Sequence, residues 1–268
     1  MPPLGIVSPH MDDAVLSCGE LLAAAPASHV VTIFSGGPHR VRRLPQWDEL
    51  SAHFKPGDDV MGLRREEDKA AMESLGAQAH HLDFWDVQYR VGPRVFRPRR
   101  AHAALRSARL HLGAQFLLPR IEDRLVALVR STNVSTWLVP LGLWHMDHRL
   151  ANQAGLRVAR KVPEKNWLIY EELPYARELP DEVSAALKRL VGEGWGVQVV
   201  DMGPGGGSER KRAAVHCYQS QLKPLGRRTE LAIDGPERFY RLAPARGTAP
   251  AARAPSALGT MPSPRGQK

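Results

Sequence analysis

Short apolar runs alternate with amphipathic stretches along most of the chain. Residues 3–8, 29–37, 78–86, 135–143, 166–176 and 196–203 read as strands, rich in Val, Ile, Leu and aromatic residues and bounded by turn formers. Between them, residues 13–25, 62–76, 121–132, 149–162, 181–192 and 208–222 carry apolar side chains at helical spacing, and Gly76 is a natural C-terminal stop. Strands that alternate with helices predict parallel pairing through right-handed crossovers. The expected fold is α/β: a Rossmann-like, mostly parallel sheet flanked by helices in three layers. Ligands of such sheets bind beyond the carboxyl ends of the strands.

Three segments fall outside this pattern. Residues 38–59 are loop-like, and residues 87–118, basic and interrupted by prolines, read as an excursion over the site. The stretch from 243 to 268, rich in Ala, Pro, Arg and Gly, has no periodicity and is expected to be a disordered tail on a domain spanning 1–242.

Composition narrows the function. The chain has 268 residues, 43% of them hydrophobic, enough for a sizeable core. No apolar run approaches the ~18 residues that a membrane span needs, and "MPPLGIV" lacks a basic leader region, so a cytoplasmic protein without a membrane partner is expected. Two cysteines, Cys18 and Cys217, exclude both a disulfide framework and a Cys-rich zinc site. The net charge is +9, and the basic clusters at 39–43, 93–109 and 208–212 read as solvated faces. No nucleic-acid module accompanies them, which disfavours a nucleic-acid partner. The oligomeric state stays open, a homo-oligomer included.

Two stretches concentrate the chemistry. "SPHMDDAVLSCGE" places His10, Asp12 and Asp13 just after the first strand, and "WHMDH" places His145, Asp147 and His148 just after the fourth. Each alone could be a helix start, with an aspartate as cap and a satisfied histidine. Together, at the same edge of one sheet, they supply the imidazole and carboxylate set of a catalytic zinc with an open position for water. They also hold a carboxylate to take a proton and a further histidine to stabilise charge.

These motifs resemble the LmbE/PIG-L family of zinc-dependent N-acetylglucosaminyl deacetylases. "RREEDKAAMESLGA" and "KRAAVHCYQSQ" are similar to two further helices of that family, and "YEELPYA" to the subgroup acting on glycosylated natural products. The resemblance spans roughly residues 3–225. It implies His10, Asp13 and His148 as metal ligands for Zn2+ or another divalent ion such as Fe2+. Asp12 would be the general base that activates the attacking water, and His145 would stabilise the oxyanion or protonate the leaving amine. Asp147 would orient a histidine. Arg64 and Asp86 would face the sugar, although Arg64 could equally be a surface partner of Glu67 or Asp68. The chain departs from the family at Ala14, where a glutamate is usual, and at Leu143, where some relatives have a tyrosine.

The expected activity is hydrolysis of an N-acyl, in the first place N-acetyl, amide of an amino sugar or glycosylated natural product. The partner is then a small glycoconjugate, anionic if the basic 93–109 segment contacts it. The rivals are an amide-bearing sugar–thiol substrate and a non-catalytic basic binding protein on the same fold.

Overall fold

The computed structural model describes residues 1–40, 43–90, 100–203 and 208–244, with backbone alone at 46, 100–112, 114 and 115. Seven strands form one sheet: β1 Gly5–Ser8, β2 His29–Thr32, β3 Gln78–His81, β4 Thr136–Pro140, β5 Asn166–Tyr170, β6 Trp195–Val200 and β7 Phe239–Pro244. Their order is β3-β2-β1-β4-β5-β7-β6. The first five are parallel, whereas β7 runs antiparallel to both β5 and β6. The helices are α1 Asp13–Ala24, α2 Gln46–Glu49, α3 Val60–Leu75, α4 Val87–Arg90, α5 Arg100–Ser131, α6 Met146–Lys161, α7 Tyr175–Glu178, α8 Pro180–Gly192, α9 Glu209–Val215, α10 Gln219–Leu225 and α11 Arg228–Ile233. None among the described residues is long and apolar enough to cross a membrane.

The strand order reverses between β1 and β4, because the chain moves outward through β2 and β3 on one side and through β5 on the other. That junction is where an open α/β sheet leaves a crevice beyond its strand ends. Both chemistry-bearing motifs open there, one after β1 and one after β4. The crevice rests on a continuous core in which Ile6, Phe34, Trp137 and Tyr170 are fully buried, and the Tyr170 hydroxyl donates to the Val7 carbonyl at 2.9 Å.

The structure corrects the sequence reading in four places. The strands are shorter than predicted. Residues 33–36, 141–143 and 171–173 are buried but continue past the paired ladders as loops, since an apolar run reports burial rather than pairing. Residues 100–118 are helical, as the first half of α5. The arginines that make that segment basic, and the Ala, Leu and Gln between them, are strong helix formers, while residues 91–99 of the predicted excursion lie outside the described residues. The single helix expected at 208–222 breaks at residues 216–218, where buried Tyr218 turns inward and donates to Asp68 at 2.7 Å. Finally, the pattern predicts no strand beyond residue 203, yet Phe239–Pro244 forms β7. Phe239, Tyr240 and Leu242 are buried there. The strand extends two residues past the predicted boundary at 242, and the predicted tail from residue 245 onward lies outside the described residues.

Candidate metal centre and substrate cleft

The turn after β1 is built from its own residues. The Ser8 hydroxyl donates to the His10 carbonyl at 2.6 Å and accepts from the Ala14 amide at 3.1 Å. The His10 amide donates to Asp13 Oδ2 at 2.9 Å. Asp12 occupies the N-cap position of α1 but makes no capping hydrogen bond, so the helix-cap explanation of this motif does not hold.

The turn after β4 is held from a distance. Buried Glu172 accepts the backbone amides of Leu141, Gly142 and Leu143 at 3.0, 2.7 and 3.0 Å. Gly142 has φ +85°, a conformation that disfavours a side chain, and an added Cβ would meet Asn152 at 2.8 Å. His145, not Asp147, caps α6, with Nδ1 accepting the Asp147 amide at 3.3 Å. The bland reading of the second motif therefore fails too. Asp147 instead accepts the Val87 amide at 3.0 Å, pairs with the Arg90 guanidinium and faces His10 Nε2 at 3.3 Å. Burial opposes ionisation of Asp147, but His10 and Arg90 overcome it and hold its carboxyl at about 2.

The two turns meet at one atom. Asp13 Oδ2 lies 3.1 Å from His10 Nδ1 and 3.1 Å from His148 Nε2. Bonds of ~2.0–2.2 Å in a tetrahedral array put neighbouring ligand atoms about 3.4 Å apart, close to both of these spacings. His148 is 1% exposed, and among the described residues neither of its ring nitrogens has an aligned hydrogen-bond partner. A buried imidazole with an unused nitrogen beside a carboxylate fits a cation better than a hydrogen bond. Charge points the same way. Burial lowers the His148 pKa, but Asp13 and Glu172 reverse this and raise it to about 9, and the neighbouring carboxylates also raise His10. Carboxylates thus crowd the two rings, a balance a divalent cation meets. Among the described residues, the groupings whose donor atoms all lie within 4.8 Å of one another are His10 with His145 and His148, which Asp13 touches through both His10 and His148, and His10 with Asp86 and Asp147. Asp147 in the latter is already engaged by Arg90 and Val87.

The remaining groups line a cleft of 290 Å³. Asp12 faces it with its pKa raised to about 6, by burial first and by the adjacent Asp13 second. His145 is pushed down to about 3 by burial and by the two neighbouring histidines. Because its Nδ1 accepts a backbone amide, neutral His145 carries its proton on Nε2, where it can donate. Arg64 is buried rather than paired on the surface of α3. Its Nη2 donates to Gln221 Oε1 at 2.8 Å, while Nη1 lies 3.9 Å from both Asp48 and Asp86. Glu67 and Asp68, its predicted alternatives, bind Ser220 and His81 instead. Asp86 receives the Gln88 amide at 2.9 Å and stands 4.0 Å from His10.

All eight predicted site residues therefore gather at the carboxyl edge of the sheet. Four contributors escape the sequence reading. Glu172 follows β5 as an acid directly after an apolar run, the same signal that exposed His10. Gln221, which also accepts from Trp47 at 2.9 Å, and Tyr175, which lines the cleft, sit in stretches whose resemblance was visible but whose roles were not. Arg90 carries no signal. The basic cluster at 208–212 is internally satisfied: Lys211 pairs with Glu237 at 3.0 Å and Arg212 with Asp234 at 2.9 Å.

Comparison with known proteins decides the family. The model of the GlcNAc-PI de-N-acetylases, PIG-L, matches residues 6–159. The chain belongs to this family. Among PIG-L relatives it is 30% identical over 251 residues to a 2'-N-acetylparomamine deacetylase of Niallia circulans, covering 85% of this chain and 84% of that protein. A Streptomyces fradiae protein of the same description is 30% identical over 181 residues, 64% of this chain and 57% of that one. The fold matches a deacetylase–teicoplanin complex with TM-score 0.65 and 21% identity, over 92% of this chain and 100% of that one. The zinc-inhibited form of teicoplanin deacetylase matches equally, with TM-score 0.65 at 22% identity over the same shares.

Proposed function

We propose that this PIG-L member is a zinc-dependent deacetylase that removes the N-acetyl group from an amino sugar of a glycosylated natural product, releasing acetate and a free amine. The observation that carries the reading is Asp13 Oδ2 standing 3.1 Å from a nitrogen of both His10 and His148, with Asp12 and His145 lining the same cleft. The substrate class is supported by the paromamine deacetylases, which resemble the chain over most of its length.

His10, Asp13 and His148 would hold the ion. When bound, a zinc ion supplies Lewis acidity and brings the pKa of water to about 7. Asp12, with a pKa of about 6, is matched to take the proton of the attacking water near neutral pH. The water oxygen bonds to the amide carbon, and His145 donates its Nε2 hydrogen to the developing oxyanion. As a neutral imidazole it has no surplus proton, so Asp12 returns the one it took to the leaving nitrogen as the C–N bond breaks. Asp147, backed by Arg90, orients His10. Arg64, whose Nε and Nη1 have no hydrogen-bond partner among the described residues, and Asp86 bind sugar hydroxyls. The catalytic unit ends with β7, at residue 244.

The test is acetate release from a panel of N-acetylated aminoglycosides and amino sugars, with metal analysis of the same sample. Asp12→Asn should lower kcat by about 10²–10⁴-fold and keep its metal. Unchanged turnover in that variant would rule the mechanism out.

A further inference from the structure

Three aromatic side chains, Trp47, Trp144 and Tyr175, line the cleft, and Trp144 is the most exposed of them. The residue is 52% exposed, yet it is held in place. The residue has φ +49°, a left-handed conformation that is strained for a bulky side chain and persists only where surroundings impose it. Here they do. The Trp144 amide donates to Glu182 at 2.8 Å, and the preceding amides are gathered by Glu172. The indole stacks on Tyr175 with ring centroids 5.4 Å apart and planes 23° from parallel. Tyr175 in turn meets His148 edge-on at 5.2 Å, and the indole lies 6.0 Å from the His145 ring.

We propose that Trp144 is a specificity-determining residue: its indole is the platform for the ring next to the amide-bearing sugar, so that the site selects substrates of at least two rings. This rests on the amino-sugar reading above. The amide must reach His145 and Asp12, and the indole stands 6.0 Å from the His145 ring, about the span of one sugar ring. The axial C–H face of a pyranose, or of a cyclitol attached to it, is apolar and displaces water when it packs on an aromatic face. A stray exposed apolar residue is ordinary on a protein surface. Such a residue needs neither a strained backbone nor a parallel aromatic neighbour, and Trp144 has both beside the reacting groups.

The experiment compares kcat/KM for a methyl glycoside of N-acetylglucosamine with that for an N-acetylated two-ring aminoglycoside. It uses the intact chain, Trp144→Ala and Trp144→Phe. In Trp144→Ala the preference for two rings over one falls about tenfold, through KM rather than kcat, and Trp144→Phe restores most of it. An unchanged preference in Trp144→Ala overturns the proposal. So does an equal loss in kcat on both substrates, which would mean that the indole acts through His145. If the unaltered protein releases acetate from neither compound, the amino-sugar reading fails and this proposal with it. Activity on both with an unchanged preference removes the platform alone.

Discussion

The turn after β1 and the turn after β4 deliver matching chemistry to one crevice, but different things fix their shape. In the first, the side-chain bonds that shape the turn join residues no more than six apart, Ser8 to His10 and to Ala14 and His10 to Asp13, while the segment after β2 adds backbone bonds from Ile33 to Ser8 and from Phe34 to Pro9. In the second, the amides of Leu141, Gly142 and Leu143 depend on Glu172, 29 to 31 residues away, and that of Trp144 on Glu182, 38 away. The side chains of the first turn brace one another locally. The second exists only once β5 and α8 are in place, so half of the site is local and half is tertiary.

The strongest way to break the comparison is to remove the atom both turns share. Asp13→Ala deletes the carboxylate between His10 and His148, and the expected outcome is loss of bound metal with activity below about one-thousandth of the original. Elemental analysis and acetate release check it. Retention of metal would move the ligand set to His10, His145 and His148, whose nitrogens also cluster.

Next in size is Glu172→Gln, which sharpens the remote half. Glu172 is fully buried, accepts three amides and faces His148 Nδ1 at 3.3 Å. The amide side chain keeps one acceptor oxygen and turns an NH2 toward groups that themselves donate. Hydrogen bonds to a buried charge contribute about 1.5–3 kcal/mol each, so a loss of about 3 kcal/mol is expected in denaturant unfolding. Metal affinity should also fall about 10–100-fold, because the carboxylate behind His148 is gone. If stability and affinity both stay at the original values, the second turn does not depend on its distant support.

The same division explains what could be read from the sequence. The first turn was legible in large part, since His10, Asp12 and Asp13 and the side-chain bonds from Ser8 and Asp13 that shape the turn lie in one short stretch. His145, Asp147 and His148 were legible as residue types after a strand. Glu172 was not, because nothing in the chain says that an acid after β5 will close the loop after β4. Arg90 is the extreme case: it meets Asp147 only through the fold, and an arginine in a basic region is unremarkable. The fold followed the same rule. The parallel strands announce themselves by buried runs between helices, whereas β7 comes late and inserts between β5 and β6, a placement no local pattern carries. In α5 the charge of the segment obscured a helix that its propensity favours.

The smallest effect separates the two remote supports from each other. Glu182 accepts the Trp144 amide at 2.8 Å, but its side chain is 37% exposed, and its other partner, Arg149 Nη2, lies 3.8 Å away. Water can replace such a bond at little cost, whereas nothing can replace Glu172 inside the core. Glu182→Ala should therefore cost less than about 1 kcal/mol in denaturant unfolding and leave metal content at its original level. The one consequence expected is local. The amide that pins the left-handed turn loses its acceptor, the indole gains freedom over Tyr175, and the preference for two-ring substrates drops about two- to threefold, a fraction of the loss from deleting the indole. A destabilisation as large as that of Glu172→Gln would show that exposure does not rank the two supports, and that the turn after β4 is held by the whole ring of acceptors rather than by its buried member.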